Sequence, residues 1–181
     1  VAAGELGGRS LGGGALVLGS PKQRSSSPGT DRGVATARLA EGLAALAGQA
    51  EACSSRILLE ALDSTQSDVV NTLAEARSIV ESIGRRGVGG MFDFHNVGDE
   101  REPWDALIRK NAGFIGHVHV NEMDGRWPGS GVSDFAPAFA ALREIAYSGW
   151  VSMEIFGVPE DPEAILRQSM NLFSSYDPEA L

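Results

Sequence analysis

Four residues able to bind a hard metal ion stand at the ends of four short apolar runs. Glu60 closes LLE, Asp93 lies in MFDFH, His119 in HVHV and Glu154 in SMEIF. Three carboxylates and one imidazole form an oxygen-rich donor set. Such a set suits Mn²⁺, Mg²⁺ or Co²⁺ better than a thiolate-rich zinc centre would, with Zn²⁺ also possible. Taken singly, each acidic group has an ordinary explanation as a helix cap or a surface partner of arginine. Four coincident strand-end donors are harder to explain one by one.

The elements that carry these residues follow from periodicity. Five apolar runs have strand character: Ala15 to Gly19, Arg56 to Glu60, Gly90 to Phe94, Phe114 to Val120 and Trp150 to Phe156. Helical patterns lie between them. In Asp68 to Gly84, residues Val69, Leu73, Ala76, Val80 and Ile83 step by four and three and make one apolar stripe. Leu39, Leu43 and Leu46 mark an earlier helix, Trp104, Leu107 and Ile108 a short one, and Phe135, Phe139, Leu142 and Ile145 another. The last begins at Asp161-Pro162-Glu163, where Asp caps the helix and Pro suits its first turn. Ser25 to Gly29 reads as a mobile loop.

Strand and helix thus alternate five times, which implies parallel strands joined by right-handed crossovers. The architecture is α/β, either an open doubly wound sheet or part of a (β/α)8 TIM barrel, and periodicity alone does not separate the two. In both, the strand carboxyl ends share one face, so groups distant in sequence converge there. Strand parity places Leu58 with Glu60, Asp93 with His95, His117 with His119, and Ser152 with Glu154 on one side, inward for a barrel. His119 is then the ligand at the rim, and His117, a layer deeper, packs or hydrogen-bonds behind it. A barrel takes about 250 residues, so a single domain spanning 1–181 would hold five of its eight units. The start at Val1, with VAAGELGGRSLGG reading as a helix end feeding a strand, fits a fragment.

Composition narrows the function classes. A net charge of −9, from 15 Lys and Arg against 24 Asp and Glu, opposes a nonspecific grip on nucleic acid. No run approaches the roughly 18 apolar residues of a membrane span and none resembles a signal peptide, so no membrane partner and a cytoplasmic location are expected. The single cysteine, Cys53, reads as an inert thiol in a helix-to-strand connection.

From GSPKQR to SMEIF the sequence resembles the sugar phosphate isomerase/epimerase family with the xylose isomerase-like TIM-barrel fold, and above all its ketose 3-epimerase branch. In that branch a Glu, an Asp, a His and a second Glu at successive strand ends hold the metal. The spacings here, 33, 26 and 35 residues, agree with it. The most specific local match is HVHVNEMDGRWPGSG, similar to the family's His-containing strand followed by an Arg and a Pro-Gly-x-Gly loop. The resemblance implies a barrel holding the last five strand-helix units, with Glu60, Asp93, His119 and Glu154 as metal ligands and Arg126 as a contact to substrate hydroxyls or a phosphate. Two departures fall around the substrate. Gln66 stands where the branch has a substrate-binding Glu, and Asn96, preceded by His95, stands where it has a His. Gln66, His95 and Asn96 are therefore read as substrate-side residues.

The implied activity is a metal-dependent isomerisation or epimerisation of a ketose, ketose phosphate or related polyol ketone. Glu60 and Glu154 would exchange a proton with the substrate carbon through an enediolate. Dehydration of an inosose-type ketone and a non-catalytic carbohydrate-binding barrel remain as alternatives, and under any of these readings self-association into a homo-oligomer stays open. The related apurinic endonuclease needs a multi-zinc site rich in histidine, and only His95, His117 and His119 are present. Trp104 and Trp150 are expected in the core. Trp127, in a loop beside Arg126, is the tryptophan placed to stack on a sugar. Gly19-Ser20-Pro21 reads as a turn that either ends the first strand or borders the ligand.

Overall fold

The alternation of strand and helix is present throughout residues 13–176, which the computed structural model describes; the opening segment read as a helix end lies almost wholly outside them. In chain order the elements are β1 (Gly14–Leu18), α1 (Pro21–Arg24), α2 (Arg32–Ala52), β2 (Ser55–Leu59), α3 (Leu73–Ile83) and β3 (Val88–Asp93). They continue with α4 (Trp104–Lys110), β4 (Ile115–Val120), α5 (Ala136–Glu144), β5 (Val151–Met153) and α6 (Pro162–Tyr176).

All strand pairs are parallel and the spatial order is sequential, β1-β2-β3-β4-β5. A doubly wound sheet reverses its strand order at a switch point. Here there is no reversal, so the chain is a five-stranded part of a (β/α)8 barrel. Sheet and helices meet over one apolar layer. The strands contribute Leu59, Phe92, Val118 and Val120, joined by Phe94 just after β3, and the helices contribute Leu43, Ala47, Leu73, Ala76, Leu107 and Phe139. Phe94, fully buried, packs its ring at 4.7 Å from Trp104 and 5.2 Å from Phe135. Because side chains alternate along a strand, burying Phe92 and Phe94 against the helices turns Asp93 to the other face.

One irregularity sets the register at the site. Gly90 pairs with Ile115 but Phe92 pairs with Val118, so β4 carries an extra residue between Ile115 and Val118. This bulge brings Asp93 directly opposite His119. Without it Asp93 would face Val118, whose side chain belongs to the helix layer.

The helices begin where short polar side chains accept from free backbone N–H groups. Asp31 takes Gly33 and Val34, Thr72 takes Glu75, and Asp161 takes Ala164. Several expectations need correction. Helix α3 starts at Leu73 and not at Asp68, because the buried Val70 takes φ +63° and breaks the helical path. Leu46 is exposed on α2, where Ala47 and Ala50 fill the buried face. Trp104 is in the core as expected, but Trp150 is 80% exposed just before β5, an outer strand of this sheet. The Ser25–Gly29 loop is tied down: Ser26 donates through its backbone N–H and its hydroxyl to Asp68. Among the described residues, no helix is long and apolar enough to cross a membrane.

Candidate metal centre

Glu60 and Glu154 follow the last residues of β2 and β5, Asp93 ends β3, and His119 is the penultimate residue of β4. One ligand atom from each lies within 4.8 Å of all the others. His119 Nδ1 faces Glu154 Oε2 at 3.0 Å, Asp93 Oδ2 at 3.6 Å and Glu60 Oε1 at 3.8 Å. It is buried and makes no well-directed hydrogen bond to any of them. A ring nitrogen aimed among three carboxylate oxygens has the disposition of donors around a common centre, and these four residues fit a divalent cation.

Electrostatics supports the same fit. Burial disfavours a charged imidazole, but the facing oxygens of Asp93, Glu154 and Glu60 outweigh it and push His119 up to about 11. Burial pushes Glu60 up to about 7; His119 pulls the other way and Asp93 adds to the rise. Burial would raise Asp93 too, yet His119, Glu60 and the His95 backbone N–H hold it below the usual carboxylate range. The cluster of three acids thus retains positive charge, as protons, wherever no metal supplies it. Burial lowers His117, whose ring packs edge-on at 5.0 Å from His119. That is the packing role expected for the deeper histidine.

Several groups outside the donor set fix these ligands. Gly19, at the end of β1, leaves the space that the Glu60 carboxylate occupies: a Cβ there would overlap Oε2. The turn therefore borders the site. Arg24, at the end of the unexpected helix α1, is 5% exposed and donates to the carbonyls of Glu60 and Leu18. Burial lowers its pKa to about 10, partly offset by the Glu60 charge. Glu122, 2% exposed, accepts from the backbone N–H of Gly129 and Ser133 and so pins the loop that carries Arg126 and Trp127. That loop also closes over β5: Phe156 donates its N–H to the Gly125 carbonyl, and its ring fills the space where a Gly125 side chain would stand. Gly125 has φ +79°, a second reason for glycine there.

The residues read as substrate-side divide. Asn96 is 4% exposed and donates to Glu60 Oε1 at 3.0 Å and Asp93 Oδ2 at 3.1 Å, so its amide is engaged with the ligands. Gln66 donates to Asn96 Oδ1 and to Asp63 Oδ2. His95 packs at 4.9 Å from Phe156 and, with Gln66, lines a cleft of about 320 Å³ that also includes Asp63, Asp99 and Met123. Arg126 is exposed and turned to Asp124 at 2.8 Å and to the Ser130 carbonyl at 3.1 Å. Trp127 is half-buried.

Comparison with known proteins agrees with the barrel fold. The family described as xylose isomerase-like TIM barrel matches residues 3–176. A D-psicose 3-epimerase of Agrobacterium fabrum is 32% identical over 120 residues, which are 66% of this chain and 42% of that protein. An inosose isomerase of Bacillus velezensis is 34% identical over 129 residues, 65% of this chain and 45% of that protein. A crystal structure of a D-psicose 3-epimerase in the presence of D-fructose superposes with a TM-score of 0.73 at 26% identity, covering 81% of this chain and 57% of the other. The chain thus matches less than half the length of these curated relatives.

Two measurements probe the centre. Metal binding must displace the protons held by His119 and Glu60, so affinity should rise with pH, first through the Glu60 range near 7 and further toward 11. Calorimetry of Mn²⁺ binding at pH 7 in buffers of different ionisation enthalpy should therefore show more than one proton released per ion. In a second experiment Gly19→Ala, which drives a methyl into the Glu60 carboxylate, should weaken Mn²⁺ binding by about tenfold or more; unchanged affinity would contradict the packing described. The chain belongs to the xylose isomerase-like TIM-barrel family.

Proposed function

We propose that this chain carries the metal-holding and proton-transferring residues of a divalent-metal-dependent sugar epimerase or isomerase. The observation that carries the reading is the convergence of Glu60, Asp93, His119 and Glu154 within 4.8 Å at the ends of four successive strands. The sugar epimerases and isomerases among its relatives support it. Mn²⁺, Mg²⁺ or Co²⁺ suits this oxygen-rich set. A bound cation would polarise a substrate carbonyl and its neighbouring hydroxyl, acidifying the carbon-bound proton next to the carbonyl.

The chain's own groups then divide the work. Glu154, its side chain 40% exposed, is the more open carboxylate and takes the carbon-bound proton, while the electron pair moves to the carbonyl oxygen to give an enediolate. Glu60, 7% exposed at its side chain and held by Asn96, returns a proton. Return to the opposite face of the same carbon gives the epimer; return to the neighbouring carbon interconverts ketose and aldose. His119 and Asp93 hold their orientation through this exchange.

The adjoining cleft bears on the substrate. Asp63 and Asp99 line it and no lysine or arginine does, among the described residues. Acidic walls favour the hydroxyls of a neutral sugar or polyol ketone and oppose a phosphate. We therefore read the substrate as unphosphorylated, with hydroxyls reaching His95 and, once its ion pair with Asp124 opens, Arg126. The partner is a small molecule and not a nucleic acid.

The test is a screen of the metal-loaded full-length protein in deuterium oxide against free ketoses, ketose phosphates and inososes. Deuterium should enter at one carbon of a free ketose or polyol ketone with composition otherwise retained. Glu154→Gln should lower that exchange by about 100-fold or more. Loss of water from the substrate would indicate a dehydratase instead, and full exchange by the variant would remove Glu154 from its role.

A further inference from the structure

From the cleft wall to the ligands runs a continuous chain of hydrogen-bonded side chains. Asp63 Oδ2 accepts from Gln66 Nε2 at 2.8 Å, and the same nitrogen donates to Asn96 Oδ1 at 2.5 Å. Asn96 Nδ2 then donates to Glu60 Oε1 at 3.0 Å and Asp93 Oδ2 at 3.1 Å. A carboxamide can turn over to exchange its oxygen and nitrogen, and nothing in Asn96 itself decides which end faces the ligands. Its surroundings do decide. Asp63 is an obligate acceptor when ionised, so the Gln66 end that faces it is the NH₂. That group's second hydrogen points at Asn96 and demands its oxygen. Asn96 is thereby left with both N–H bonds directed at the two carboxylates.

The carboxylate at the start of the chain is secure in its charge. Although burial works against it, Asp63 is held below the usual carboxylate range by the Thr65 hydroxyl, Gln66 and the Thr65 backbone N–H. At the other end, Asn96 is 4% exposed, so water does not substitute for a lost bond there. The two donated bonds go to Glu60 Oε1 and Asp93 Oδ2, the same oxygens that face His119 Nδ1, and so restrict how these two carboxylates turn.

We propose that Asp63, Gln66 and Asn96 form a polarity-fixing relay that presents the Asn96 NH₂ to Glu60 and Asp93 and so orients these two metal ligands. Gln66 and Asn96 are positioning residues in this assignment and do not bind the substrate through their amides. The inference rests on the reading of the four-residue cluster as a metal centre. It makes a demand that substrate contact does not: Gln66, which is not itself a ligand, sets the metal affinity through Asn96. Gln66→Glu replaces the donor with an acceptor facing both Asp63 and the Asn96 oxygen. Asn96 then turns over and presents its own oxygen to two carboxylates.

The test is Mn²⁺ affinity and the visible absorption of the Co²⁺-loaded full-length protein, with no substrate present. Wild type should bind, and Gln66→Glu should bind about 10- to 100-fold more weakly with an altered cobalt spectrum, the range found for groups behind metal ligands. Gln66→Met, which removes the donor without adding an acceptor, should lie between the two. It also serves if the charged variant folds poorly. Asn96→Ala should weaken binding to a similar extent and erase any further effect of Gln66→Glu in the double variant. Wild-type affinity and spectrum in Gln66→Glu and Gln66→Met would overturn the relay while leaving the metal centre standing. Failure of the wild type to bind would overturn both.

Discussion

Three carboxylates and an imidazole are held around one point, and that convergence is the constraint on which the rest of the site depends. Two charges 4.8 Å apart repel by about 3 to 4 kcal/mol at the effective dielectric of a protein. Here most of the donors are also withdrawn from water. Such a cluster is stable only with compensating positive charge. His119 pushed far up and Glu60 pushed up to about 7 record that need in protons. A divalent cation meets it with two charges on one centre, which is why the donor chemistry and the electrostatics lead to the same reading.

The scaffold serves this point through small local devices. The extra residue in β4 brings His119 level with Asp93. Gly19 gives the Glu60 carboxylate its space, and Arg24 grips the backbone carbonyl of the same residue from α1. Glu122 holds the loop after β4, and Phe156 clasps that loop to the end of β5. Behind these, the Phe94 cluster with Trp104 and Phe135 anchors the strand that carries Asp93. Each device acts on a strand end, so site geometry and barrel geometry are one problem.

Much of this was legible in the residues themselves. Apolar runs carrying Glu60, Asp93, His119 and Glu154 located the strands, and period-two alternation put the four donors on one face. Periodicity could not distinguish a barrel from a doubly wound sheet, since that depends on which strands are neighbours. The bulge in β4 was hidden because one added residue leaves a short apolar run looking unchanged. Gly19 was read only as part of a turn that ends the first strand or borders the ligand, and Arg24 passed unnoticed, because their importance lies in contacts with Glu60, 41 and 36 positions away. Asn96 was read as facing substrate; its engagement with two ligands is a property of packing that spacing does not encode. Trp150 was assigned to the core because it opens an apolar strand run, yet it precedes an outer strand and is largely exposed.

Whether the four strand-end donors share one divalent ion is decided by anomalous diffraction at the manganese edge from crystals of the Mn²⁺-loaded protein. A single strong peak should stand between Glu60, Asp93, His119 and Glu154, with His119 Nδ1 and one oxygen of each acid around it. No peak there, or a peak bound by surface carboxylates with His119 still facing Glu154 directly, would contradict it.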